Sequence, residues 1–110
     1  MKKLIMLVVA AALTASMAQA DAKTGQKVYL KTLKAKFGNM NGTKFAAEHT
    51  VAEWEELFAN DAAGFVKEYG ERFPAAVPVL SNPSMKEKLQ DVGDFAKEYG
   101  SDSGNVPSCG

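Results

Sequence analysis

Apolar side chains recur along most of the chain at the three- and four-residue spacing of a helix, and the alternating pattern of a strand is almost absent. The first such stretch covers residues 24–37. It ends before Gly38, a residue type that commonly stops a helix in a left-handed conformation. The apolar positions are Val28, Tyr29, Leu33 and Phe37. The pattern predicts a helix over residues 24–37.

A second helix is predicted to begin at Thr50. Thr50 and Glu53 have the spacing of a capping box, in which the hydroxyl and the carboxylate each accept a hydrogen bond from a backbone amide at the start of the helix. The apolar residues that follow on one side are Trp54, Leu57 and Phe58.

A third, short helix is predicted to follow directly. Asn60 or Asp61 is placed to cap it, because short polar side chains accept hydrogen bonds from the free amides of a first turn. Phe65 and Tyr69 lie one turn apart, and Gly70 is placed to end the helix.

The last helix carries the clearest apolar stripe. Ser84 and Glu87 repeat the capping-box spacing, which predicts a start at Ser84. Gly93 interrupts the stripe, and because glycine weakens a helix, one interpretation is that another backbone packs closely there. The stripe consists of Met85, Leu89, Val92, Phe95, Ala96 and Tyr99.

Two long connections separate these helices, at residues 38–49 and 71–83, and the second contains three prolines. Connections of this length in a small domain commonly bind or wrap something. The sequence therefore predicts an all-α fold of four short helices joined by two long loops.

The first twenty residues have the features of a cleavable export signal. Lys2 and Lys3 form a basic head, residues 4–13 form an apolar run too short to cross a bilayer, and residues 18–20 supply a small-x-small cleavage site. The predicted organisation is a signal peptide at 1–20, a helical domain at 21–100 and a flexible C-terminal tail at 101–110. We expect a periplasmic or secreted product with no membrane span after cleavage.

The charge balance and the residue inventory exclude several classes of function. Residues 21–110 carry 11 basic and 13 acidic side chains, a net charge of −2, which argues against nucleic-acid binding. The glutamates occupy positions of solvated helix faces, and there is one histidine and no phosphate-binding glycine loop, so we expect neither an enzyme nor a metal site. A group of four lysines lies on or after the first predicted helix: Lys31, Lys34, Lys36 and Lys44. These lysines form either a solvated face or a surface that steers docking to an acidic partner.

Two segments resemble the class I cytochromes c. Gly25, Val28 and Tyr29 match the glycine-to-aromatic pattern of that family's first helix, and residues 91–99 are similar to its last helix. The resemblance covers most of residues 21–100. It implies that the first and last helices cross in the orthogonal arrangement of these proteins, and it implies a respiratory or redox pathway.

The residues that attach haem in that family are missing here. The family's CxxCH motif supplies two thiols for thioether bonds and a histidine for the iron, whereas residues 33–38 read Leu-Lys-Ala-Lys-Phe-Gly. The distal methionine is replaced by Val77, which precedes Pro78. The resemblance therefore implies a cytochrome c-like scaffold without covalent haem, and we expect no cofactor.

Three residues outside those positions bear on an alternative haem site. His49 is the only histidine, and it would have to pair with Met40 or Met85 to hold haem noncovalently. The other interpretation of His49 is a residue at the entry to the second helix. Aromatic side chains would then fill the volume that haem takes in the family, and they bury large apolar areas. The candidates are Phe37, Phe45, Trp54, Phe58 and Phe73.

Cys109 is the only cysteine, so an intramolecular disulfide is excluded. Its thiol is either incidental, or links two chains into a homodimer, or serves a partner or a sulfur-bearing group.

The sequence as a whole predicts a small exported binding or accessory protein with a periplasmic protein partner. The alternative is a redox function, either electron transfer through noncovalently held haem or thiol chemistry at Cys109.

Overall fold

The computed structural model describes residues 21–107, and these residues form an all-helical fold, which confirms the predicted class. The predicted signal peptide and Cys109 lie outside the described residues. The described helices are α1 (residues 21–37), α2 (Gly42–Ala46), α3 (Val51–Arg72), α4 (Val77–Leu80) and α5 (Lys86–Glu98).

Helix α1 changes its winding along its length. Residues 21–28 are α-helical, Tyr29–Leu33 form a π-helical turn, and Lys34–Phe37 form a 3₁₀ turn. A π turn holds more residues than an α turn. Buried positions spaced by four therefore stay on one face, and these are Gly25, Tyr29, Leu33 and Phe37.

Gly38 ends α1 as predicted. Its φ is 68°, in the left-handed region that glycine adopts without strain, and the backbone N–H of Asn39 donates to the carbonyl of Lys34 at 2.9 Å.

The predicted capping box at Thr50 is confirmed. The Glu53 N–H donates to Oγ1 of Thr50 at 3.2 Å, and the Thr50 N–H donates to Oε1 of Glu53 at 2.9 Å. The two hydrogen bonds fix the first turn of α3.

Helix α3 is broken at residues 59–62, where a third helix was predicted to start. Asn60, Asp61 and Ala62 have φ of 54°, 57° and 64°. Asn60 and Asp61 therefore form a left-handed bend rather than a helix cap, which takes an extended backbone. The predicted end at Gly70 is wrong, because α3 continues to Arg72. The N–H of Phe73 still donates to the Tyr69 carbonyl at 2.9 Å before Pro74 stops the helix.

The predicted start of the last helix at Ser84 is also wrong. Pro83–Met85 form a 3₁₀ turn, and α5 begins at Lys86. The side chain that accepts hydrogen bonds here is Asn82, whose Oδ1 takes the N–H and the hydroxyl of Ser84, each at 2.9 Å. The two predicted loops are also partly helical, since α2 lies in one and α4 in the other.

Two glycines mark close approaches in the core. A Cβ atom on Gly25 would lie 1.9 Å from the carbonyl oxygen of Asp91, so α1 and α5 meet backbone to backbone at this point. A Cβ on Gly93 would lie 2.7 Å from the ring of Phe58, so the neighbour at Gly93 is a side chain and not the backbone that was predicted.

The start of the predicted tail packs on the start of α3. The Ser101 N–H donates to the His49 carbonyl at 3.0 Å, and Oδ1 of Asp102 accepts from the Val51 N–H at 2.9 Å. Across residues 21–107, no helix combines the length and the apolar character needed to cross a bilayer.

Candidate functional site

The centre of the molecule is a cluster of aromatic rings. Neighbouring ring centroids lie 4.4–6.4 Å apart, within the range of favourable aromatic pairs. Of the five predicted core aromatics, four are buried and Phe73 is partly buried. The buried polar atoms have partners: Nε1 of Trp54 donates to the Ala46 carbonyl at 2.8 Å, and the Tyr29 hydroxyl donates to the Met40 carbonyl at 2.5 Å.

The candidate haem ligands occupy three different settings. His49 lies beside α3, with Nε2 at 2.7 Å from Oε2 of Glu68 and Nδ1 at 3.5 Å from Oε1 of Glu53. Met85 is buried at the start of α5, and Met40 lies partly buried before α2. An axial histidine must present a free ring nitrogen to iron, whereas both nitrogens of His49 face carboxylates. The arrangement of His49 therefore does not fit haem ligation.

Sequence reasoning missed a hydrogen-bonded group centred on Glu48, which we call the Glu48 network. Oε1 of Glu48 accepts from the Tyr69 hydroxyl at 2.5 Å and from Nη1 of Arg72 at 2.9 Å, and Oε2 accepts from Nη2 of Arg72 at 3.0 Å. The Arg72 guanidinium also lies 4.9 Å from the ring centroid of Tyr69. A bidentate arginine–carboxylate pair is among the strongest ion pairs in proteins, and its two parallel hydrogen bonds also fix the relative orientation of the two groups.

The network shifts the acidity of its members in opposite directions. Desolvation would raise the pKa of Glu48, but the hydrogen bonds from Arg72 and Tyr69 outweigh it and lower the pKa. The pKa of Tyr69 is raised by burial and by its hydrogen bond to the Glu48 carboxylate. Glu48 therefore stays ionised and Tyr69 stays protonated at neutral pH.

An open cleft of about 450 Å³ lies next to this network, and we call it the Met40 cleft. One wall is aromatic, with the rings of Phe37 and Phe73 stacked at 5.0 Å. The Glu48–Arg72 pair and the exposed Lys44 also line the cleft. The full lining is Phe37, Gly38, Asn39, Met40, Asn41, Lys44, Glu48, Arg72 and Phe73.

A second polar group, the Asp91 cluster, lies where α1 meets α5. The carboxylates of Asp21, Asp91 and Asp94 lie within 4.8 Å of one another. Desolvation and the neighbouring negative charges raise the pKa of Asp91, and desolvation raises that of Asp94, against the pull of Lys97 at 3.6 Å. The sequence pattern hides this cluster, because residue 21 and residues 91 and 94 meet only through the helix contact at Gly25.

The basic residues near the start of the described chain form a third feature. Residues 22–47 contain six lysines and no acidic residue. Within residues 21–107, none of these six lysines has a carboxylate oxygen within 4.0 Å. They are Lys23, Lys27, Lys31, Lys34, Lys36 and Lys44, and we call them the lysine surface.

Comparison of the chain with protein-family models, with curated proteins and with solved structures finds no match. The resemblance to class I cytochromes c therefore stays a prediction from the residues that carry it.

Proposed function

We propose that this protein is an exported binding or accessory protein that engages a protein partner through the Met40 cleft. The observation that carries the proposal is the lining of the cleft, which combines the stacked rings of Phe37 and Phe73 with the Glu48–Arg72 pair and the exposed Lys44. Apolar surface with a few placed polar groups is the usual make-up of a binding site.

The charged groups of the cleft favour binding over catalysis. Glu48 is committed to three hydrogen bonds, and Arg72 is held by Glu48 and by the faces of Tyr69 and Phe73. An acid–base catalyst needs a group that gains and loses a proton near the working pH, and the lowered pKa of Glu48 removes it from that role. The two side chains instead hold each other in place, and Lys44 is the charged side chain of the lining that is left to meet a partner.

The scaffold in this proposal is cytochrome c-like, with packed rings in place of a porphyrin. Two features support it: the backbone contact between α1 and α5 at Gly25, and the ten aromatic side chains joined in one network of ring contacts. The proposed location is the periplasm or the medium, on the strength of the leader pattern at residues 1–20.

A capture experiment tests the role of the cleft. Tagged wild type, Lys44→Glu and Lys88→Glu are expressed in the native host, and proteins bound from the envelope fraction are identified by mass spectrometry. Lys88 is an exposed lysine of α5, outside the cleft, so both variants change the net charge equally. We expect a partner that binds wild type and Lys88→Glu and is lost with Lys44→Glu. Equal binding by all three proteins would exclude the cleft as the partner site.

Measurements on wild type and on Cys109→Ser distinguish this function from the redox alternative. Wild type purified from the native host, with and without added haemin, is expected to show no Soret band, and Cys109→Ser is expected to capture the same partner as wild type. A stoichiometric haem spectrum, or loss of the partner with Cys109→Ser, would replace the binding proposal with a redox function.

A further inference from the structure

The lysine surface has a regular geometry on α1. Lys23, Lys27 and Lys31 are exposed and spaced by four residues, two positions out of step with the buried Gly25 and Tyr29. Successive lysines lie about one helical turn apart, so the three lysines form a row on the side of α1 opposite the buried positions. At about 1.5 Å per residue the row is about 12 Å long.

The rest of the lysine surface continues this row toward the cleft. Lys34 and Lys36 lie in the last turn of α1, which ends at Phe37, a residue of the cleft wall. Lys44 lines the cleft. Six unpaired cations therefore lead from the first turn of the described helix to the proposed binding cleft.

The lysine surface differs in sign of charge from the segment that follows it. Residues 48–72 contain seven acidic and two basic residues, whereas residues 22–47 hold six of the eleven basic residues of 21–110 and no acidic one, although the net charge of residues 21–110 is −2. An asymmetric field of this kind orients an approaching anionic molecule toward one face and raises its association rate.

We infer that the lysine surface binds an acidic segment of a polypeptide, which lies along α1 and reaches the Met40 cleft. The inference rests on the proposed function, because it names the partner chemistry of the same site.

The contacts favour a polypeptide over other anionic partners. A flat bilayer would meet the helix but not a concave cleft, and no large apolar side chain among residues 22–47 is exposed for insertion; the exposed large apolar residues of the described chain are Val77 and Val106. A nucleic acid would call for exposed aromatic rings or free arginines, whereas Arg72 is paired with Glu48. Hydrated lysines suit carboxylates spread along a chain.

The test is a binding titration with matched triple variants. A labelled peptide of eight glutamates is titrated at low ionic strength with wild type, with Lys23→Gln/Lys27→Gln/Lys31→Gln, and with Lys67→Gln/Lys86→Gln/Lys88→Gln as the control of equal charge change. We expect the α1 triple variant to bind about tenfold more weakly than wild type and the control to stay within about twofold, since each exposed ion pair contributes little and three act together. Binding should also weaken as salt is added.

Three outcomes would overturn the inference: no peptide binding by wild type, equal losses in the two triple variants, or α1-dependent binding to phosphatidylglycerol vesicles without binding to the peptide. The last outcome would assign the lysine surface to a membrane. Circular dichroism and thermal unfolding verify that each variant is folded. Lys44 is unchanged in both triple variants, so failure here leaves the capture experiment on Lys44→Glu to judge the cleft by itself.

Discussion

The Glu48 network and the Asp91 cluster both place carboxylates where parts of the fold meet, yet they have opposite electrostatic character. Glu48 accepts three hydrogen bonds from an arginine and a tyrosine, and its pKa is lowered. Asp91 has Asp21 and Asp94 as neighbours, and its pKa is raised. The comparison teaches that one carboxylate stabilises the fold by being ionised, whereas the other destabilises it for the same reason.

Removal of the Glu48 carboxylate is expected to have the largest effect. Glu48→Ala leaves the hydroxyl of the fully buried Tyr69 without its acceptor and separates Arg72 from its partner. We expect a loss of about 2 kcal/mol in the free energy of unfolding, measured by urea denaturation. Glu71→Ala is the control. Glu71 is exposed on α3, the helix that carries Tyr69 and Arg72, and its replacement should change stability by less than about 0.5 kcal/mol. Similar losses in both variants would mean that the Glu48 network adds no more to the free energy of unfolding than an exposed glutamate does.

The acid side of the stability profile should differ between the two regions. Because the pKa of Glu48 is lower in the folded protein, its contribution is present above the unfolded value, near 4.5, and is lost as the pH falls through the folded value. Because the pKa of Asp91 is raised, its repulsion is relieved as the pH falls. Glu48→Gln should therefore flatten the acid loss of stability, and Asp91→Asn should steepen it. Thermal unfolding between pH 3 and 7 measures the slope of stability against pH for each variant and for wild type, and a change of slope in the same direction in both variants would contradict the comparison.

Local signals in the sequence predicted the parts of this fold that depend on neighbouring residues. The capping box at Thr50 and the stop at Gly38 were both predicted, because each depends on a few adjacent residues. Five core aromatics were predicted, and four of them are buried, since large rings in helical registers have few alternatives to the core.

The features that depend on distant residues were not predictable in this way. The left-handed run at Asn60, Asp61 and Ala62 is unfavourable locally, because asparagine and aspartate adopt this conformation as single residues and alanine rarely does. Glu48 and Arg72 are 24 residues apart and meet only when α2 and α3 are both in place. The start of the last helix was misplaced because Ser84 fits a capping box as well as Asn82 fits the turn that forms.

Relief of the Asp91 cluster should stabilise the protein by a smaller amount than the loss of Glu48 destabilises it. Asp91→Asn removes one of three neighbouring negative charges and keeps the shape of the side chain. Because these carboxylates are partly solvated, we expect a gain of only about 0.5 kcal/mol at pH 7 in the free energy of unfolding. Glu71→Gln is the control, with an equal charge change at a site without such neighbours. A destabilised Asp91→Asn would show that the carboxylate makes a favourable contact that outweighs the repulsion.

Added salt gives the smallest and most selective test of the comparison. Sodium chloride at about 0.5 M screens interactions between partly exposed charges, whereas the hydrogen bonds of Glu48 depend mainly on short-range geometry. The gain in stability from Asp91→Asn should therefore shrink to within a few tenths of a kcal/mol of zero, while the loss from Glu48→Ala should keep most of its size. Urea denaturation of the two variants and wild type, at low and high salt, measures both differences. If salt reduced both effects by the same fraction, the two regions would share one long-range electrostatic origin, and the distinction between a paired and an unpaired carboxylate would fail.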